Sequence, residues 1–143
     1  MNVTREQVYG ALFNILSAIP GLKKSSRRLE HWDEVPFADT PALYQVQSSE
    51  SISKVPSQPS RRVFRVEVYV YVKVDEGTSV VPAAIMNPIL DSIEDSLSGN
   101  PHNRMNTLGG LVFDAHIDGE IETDGGVISQ TMVAIVPIVV TLP

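Results

Sequence analysis

Residues 61–74, RRVFRVEVYVYVKV, alternate apolar and polar from Phe64 onward. Phe64, Val66, Val68, Val70, Val72 and Val74 share one side, and Arg65, Glu67, Tyr69, Tyr71 and Lys73 share the other. Successive strand side chains point to opposite faces, so the pattern predicts a strand with one face in a core. It runs longer than the usual five or six residues, and its second face carries two tyrosines, amphipathic side chains suited to interfaces. A different period marks the N-terminal stretch. Val8, Ala11, Leu12, Ile15 and Ile19 recur at helical spacing. Thr4 and Gln7 form a predicted capping box, and Ile19-Pro20-Gly21 ends the helix. Ile85, Ile89, Ile93 and Leu97, with Met86 and Leu90, predict a second helix whose wet side holds Asp91, Glu94 and Asp95. Thr78 or Ser79 is its expected cap, with Pro82 in the first turn and Gly99 as the stop. Pro88 predicts a kink or a later start near Asn87.

Between these elements, Arg27 to Glu30 and Ala42 to Gln47 read as short strands. The Ser/Pro-rich stretch 48–60 reads as a long mobile loop, and 98–110 as a second irregular loop. The last third predicts a β-hairpin. Leu111, Phe113, Ala115, Ile117 and Ile121 face one way, while Asp114, His116, Asp118, Glu120 and Glu122 face the other. The TDGG sequence supplies the turn, and Val127 to Val140 returns beside it. The expected architecture is α+β: one domain over residues 1–143, a mostly antiparallel sheet of about five strands, and two helices packed on one face.

The chain closes on MVAIVPIVVTLP, twelve residues without a charge. A half-solvated strand should alternate apolar with polar, and this one does not. If both helices occupy one sheet face, a neighbouring molecule must bury the other, because large apolar patches are uncommon on monomers. An oligomer is therefore expected, with Arg65, Tyr69, Tyr71, Met132, Ala134, Val136, Ile138 and Val140 as the candidate interface.

Composition narrows the function. A net charge of −6 argues against binding nucleic acid by neutralising phosphates. Without cysteine there are no disulfides or thiolate metal sites, which fits an intracellular product. Met1 to Gln7 lacks a basic segment followed by an apolar one, so no signal peptide is expected. The C-terminal run is too short for a membrane-spanning helix and is interrupted by Pro137. Asp114, His116, Asp118 and Glu120 are the one cluster resembling a metal site, but alternate strand residues lie about 7 Å apart. A solvated polar face is the expected reading. His31, His102 and His116 show no ligand spacing, and no catalytic or phosphate-binding motif occurs. Neither an active site nor a cofactor or metal is expected.

The order of these pieces resembles the tail terminator proteins of long-tailed bacteriophages, the lambda tail-terminator type, also called tail completion or minor tail proteins. The pieces are the helix, RRL, PALYQVQ, the Ser/Pro stretch, the long alternating strand, the second helix, LGGLVFDAHIDGEIETDGG and AIVPIVV. The resemblance runs over nearly the whole chain and contains no catalytic signature. It implies a homo-oligomeric ring, hexameric in this family, that caps the tail tube, stops its polymerisation and offers the head or neck a docking surface. The implied partners are further copies of the chain, the tube protein, a head-completion or connector protein, and a sheath where the tail is contractile. The implied location is the tail–neck junction of a virion assembled in the host cytoplasm. DNA would pass through without specific binding, so a negative lumen is expected, drawn from Asp91, Glu94, Asp95, Asp114, Asp118 and Glu120. The stretches 48–60 and 98–110 are the expected contacts with neighbouring rings. A head-completion or connector-adaptor protein of the neck, a tube subunit, an unrelated oligomeric adaptor, and a metal-dependent enzyme using Asp114, His116 and Asp118 are the rival readings.

Overall fold

The computed structural model describes residues 3–75, 79–124 and 130–142. Along them run α1 (Arg5–Ser17), β1 (Lys24–Ser26), two 3-10 turns (Trp32–Glu34 and Phe37–Asp39), β2 (Ala42–Ser53) and β3 (Arg61–Lys73). Then follow α2 (Pro82–Ser96), β4 (Asp114–Ile117), β5 (Glu122–Thr123) and β6 (Thr131–Leu142). All six strands belong to one sheet, ordered β1-β2-β3-β6-β4, with β5 also paired to β6. Only β1 and β2 run parallel among the described strands. The fold is α+β with a mostly antiparallel sheet.

The alternation of β3 settles where the core lies. Phe64, Val66, Val68, Val70 and Val72 are buried and form one apolar cluster with Val8, Tyr9, Leu12 and Leu16 of α1. Met86, Ile89 and Ile93 of α2 join the same cluster. At the start of α1 the capping box is closed from both sides. Gln7 N donates to Thr4 Oγ1 at 3.2 Å, and Thr4 N donates to Gln7 Oε1 at 2.8 Å.

Several local expectations are corrected. The first short strand is Lys24–Ser26 rather than Arg27 to Glu30, because Ser26 Oγ accepts from Arg28 N and turns the chain off the sheet. Arg27 leaves to clamp Glu6 through two bonds of 2.6 and 3.0 Å, and Lys24 pairs with Glu30. Helix α2 begins at Pro82, not near Asn87; Val81 is its N-cap and makes no side-chain capping bond. Ser79 therefore does not cap it, and Thr78 lies outside the described residues. Pro88 sits inside the helix on its exposed side, with Ala84 and Asn87, where a carbonyl left without a backbone donor costs less than it would in the core. The hairpin strand starts three residues later than its pattern suggested. Val112 is buried and Phe113 is 52% exposed, the reverse of the expected facing. The return strand spans Thr131–Leu142, whereas Val127 and the glycines of TDGG lie outside the described residues.

Candidate interaction surfaces

Register decides which side of β6 meets the helices. Phe64 pairs with Val140, Val66 with Ile138, Val68 with Val136, Val70 with Ala134 and Val72 with Met132. Directly opposed residues share a face, so Met132, Ala134, Val136, Ile138 and Val140 follow β3 into the helix-covered cluster, where all are at most 4% exposed. These five belong to the chain's own core and are not available to a neighbour. An uncharged run carries no sign of its own parity. Pairing to β3 supplies it.

The opposite face is built from rows across β2, β3 and β6: Ala42–Tyr71–Val133, Tyr44–Tyr69–Ile135, Val46–Glu67–Pro137 and Ser49–Arg65–Val139. One end is closed within the chain. Val35, Ala42, Tyr44 and Tyr71 form a second buried cluster, with Trp32, Tyr69 and Val133 packed against it. Tyr71 donates to the carbonyl of Glu30 at 2.7 Å and tilts against Tyr44, ring centroids 5.3 Å apart. Burial first, then the nearby Tyr69 and Glu30, pushes the Tyr71 phenol up to about 12. Tyr71 is thus a satisfied core tyrosine, whereas Arg65 is exposed and Tyr69 half-buried on the part left open. Val46, Val133, Ile135 and Pro137 are half-buried there too. A groove of 290 Å³ runs between Trp32, Val133 and Ile135 on one side and Glu122, Thr123 and Asp124 on the other.

The stretch 48–60 is not a loop throughout. Strand β2 continues to Ser53, with Ser49 to Ser53 paired to Arg65 to Arg61 beyond an irregularity between Gln47 and Ser49. The reversal is tight. Gln58 N donates to Val55 O at 3.0 Å across Pro56 and Ser57, the latter at φ 67°. Glu50 fixes the root of this arm to α1, accepting from Arg5 Nε at 2.7 Å and Tyr9 Oη at 2.8 Å. Beyond it every residue from 51 to 60 is exposed, including Ile52 at 59% and Val55 at 53%. A thirteen-residue β3 needs a ladder partner along its length, and that was the sequence signal for the arm.

The second irregular stretch is folded more tightly than its sequence suggests. Asn100 N donates to Met105 O and Arg104 N to Asn100 O, while Leu108 is buried in the main cluster.

The acidic set divides by environment. Asp91, Glu94, Asp95, Asp118 and Glu120 are exposed. Asp114 is half-buried and already engaged, its Oδ1 accepting from Asn106 N at 2.9 Å. Its Oδ2 stands 3.0 Å from His116 Nδ1 but out of line for a hydrogen bond. Two groups distant in sequence meet across a groove of 450 Å³: Glu94, Asp95, Leu97 and Ser98 from the end of α2, and His116, Ile117 and Ile121 from the β4 side. Among the described residues, no three His, Asp or Glu side chains converge to hold a metal ion. No described helix is long and apolar enough to cross a membrane.

No protein-family model matches the sequence, and no curated protein matches it. A chain from the virion of a native gene transfer agent particle is similar in structure, with a TM-score of 0.54 and 10% sequence identity. The match covers 94% of this chain and 92% of that one, so the likeness is one of whole fold rather than of a shared fragment.

Proposed function

We propose that the protein is a structural component of a phage-like particle, of the tail-terminator type. It would form a homo-oligomeric ring, hexameric as the resemblance implies, seated on the tail tube at the tail–neck junction. The ring stops tube growth and presents a docking surface to a head-completion or connector protein. The observation that carries this reading is the correspondence of nearly the whole fold with a chain of a gene transfer agent virion. It is supported by a sheet face, around Tyr69, Ile135 and Pro137, that the chain leaves partly open. The role is structural rather than catalytic.

The lumen proposal narrows with the environment of each carboxylate. Asp114 is tied to Asn106, and Glu94 and Asp95 rim a groove. Asp91, Asp118 and Glu120 remain as exposed carboxylates to line a channel through which DNA slides, repelled rather than held.

Negative-stain imaging of the purified protein, alone and mixed with tail tubes, tests the reading. Rings that cap tube ends are expected. Tubes that keep growing in its presence, with no rings in either sample, would overturn it.

A further inference from the structure

The exposed arm and the α2–β4 groove are complementary and separate: the arm is the β2–β3 reversal, and β6 lies between β3 and β4. Strand β2 lies to one side of β3 and β6, and β4 to the other. Residues 51–61 of the arm contain Lys54 and Arg61 and no acid. The tip adds two exposed aliphatic side chains, Ile52 and Val55. The groove has the converse make-up: Glu94 and Asp95 at the rim, and Leu97, Ile117 and Ile121 as apolar lining, with Ile121 37% exposed. Its 450 Å³ falls within the roughly 300–1,000 Å³ of clefts that bury a ligand. Every residue from 51 to 60 is exposed and none of them lines the groove, so the arm does not occupy the groove of its own chain.

We propose that the β2–β3 arm of one copy docks in the α2–β4 groove of the next, placing Ile52 and Val55 against Leu97, Ile117 and Ile121, and Lys54 against Glu94 and Asp95. This rests on the ring reading above and specifies how the ring closes. A contact between two different surfaces of the same chain is heterologous, and such contacts generate closed rings when the rotation per copy permits. The charge pattern selects the partner. Copies of a chain with net charge −6 repel one another overall, so a cationic arm entering an anionic groove fixes orientation as well as attraction. It also assigns Glu94 and Asp95 to the subunit contact rather than to the lumen.

The absence of cysteine makes the test clean. Val55→Cys and Ile121→Cys are introduced together at exposed positions, and rings assembled with or without tail tubes are oxidised and run under denaturing, non-reducing conditions. A ladder of covalent multimers is expected from the double variant. Val55→Cys alone should give nothing beyond a dimer, and Ile121→Cys alone the same. In parallel, Lys54→Glu should raise the concentration needed for ring formation at least tenfold, and adding Glu94→Lys to it should restore assembly. Far-UV circular dichroism checks that each variant folds. Rings seen by native mass measurement without the Val55–Ile121 ladder overturn the arm-and-groove contact and leave the ring reading standing. No rings in any sample overturn both.

Discussion

Glu50 joins the first helix to the root of the arm through two bonds, from Arg5 and Tyr9. Burial works against its charge, but the hydrogen bonds from Arg5 and Tyr9 outweigh it and hold the carboxyl below its ordinary value of 4.5. A carboxyl depressed in the folded state adds stability above the unfolded value, and that stability is lost as pH falls through the folded value. Glu50→Gln is therefore expected to cost about 1 kcal/mol at pH 7. The gap to the parent should shrink as pH falls below 4.5. Urea unfolding at pH 7 and along a series of acid pH values measures it, and a gap that never shrinks on acidification would exclude the charged clamp as its source. Two glycines give opposite signs. At Gly10, inside α1, a Cβ would meet nothing within 4 Å. Gly10→Ala should stabilise by about 0.5–1 kcal/mol through helix propensity alone. At Gly99, with φ +80°, a Cβ would lie 2.8 Å from the backbone of Arg104 and Met105. Gly99→Ala should cost about 2 kcal/mol or more. Thermal melts of the pair check both signs.

Elements were legible where a period was strong and one face met a core. The alternation of β3 and the stripe of α1 marked both elements, and Thr4–Gln7 marked the start of α1. Where neither condition holds, the sequence is mute. Residues beyond Gln47 in β2 are polar apart from Ile52 and exposed apart from the half-buried Glu50, so their strand state comes from ladder bonds to β3 rather than from core burial. The parity of β6 was hidden for the opposite reason: both of its faces are apolar, and only pairing to β3 distinguishes them. That parity is directly testable. Val136 is fully buried in the main cluster, so Val136→Ser removes methyl groups and buries a hydroxyl, at an expected cost of about 3 kcal/mol. Ile135→Ser, one residue away on the half-open face, should cost less than about 1 kcal/mol. Equal losses in urea unfolding would contradict the assigned facing. The carboxylates of the site were visible as residues, but not their division. Nothing in the spacing of Glu94 and His116 announces that α2 and β4 bring them to one groove.

At the scale of the whole molecule, the proposed contact of arm with groove leaves one broad surface unspent. This is the face opposite the helices, where Val46, Tyr69, Ile135 and Pro137 are half-buried around Arg65 and Glu67. The proposed ring would need such a surface to sit on a tube, and a partly apolar patch with charges set within it suits a contact that forms late and must be specific. Placing a cation at its centre separates the two kinds of contact. Ile135→Lys puts an ammonium on half-open surface, where the lysine stem can lie along Tyr69 and the charge can reach water, so the subunit itself should stay folded. The expected outcome is a ring of unchanged mass by native mass measurement that no longer caps tail tubes in negative stain. Loss of the ring as well would move this face from between rings to between copies, because a charge buried without a partner in the subunit contact would prevent closure before any tube was met.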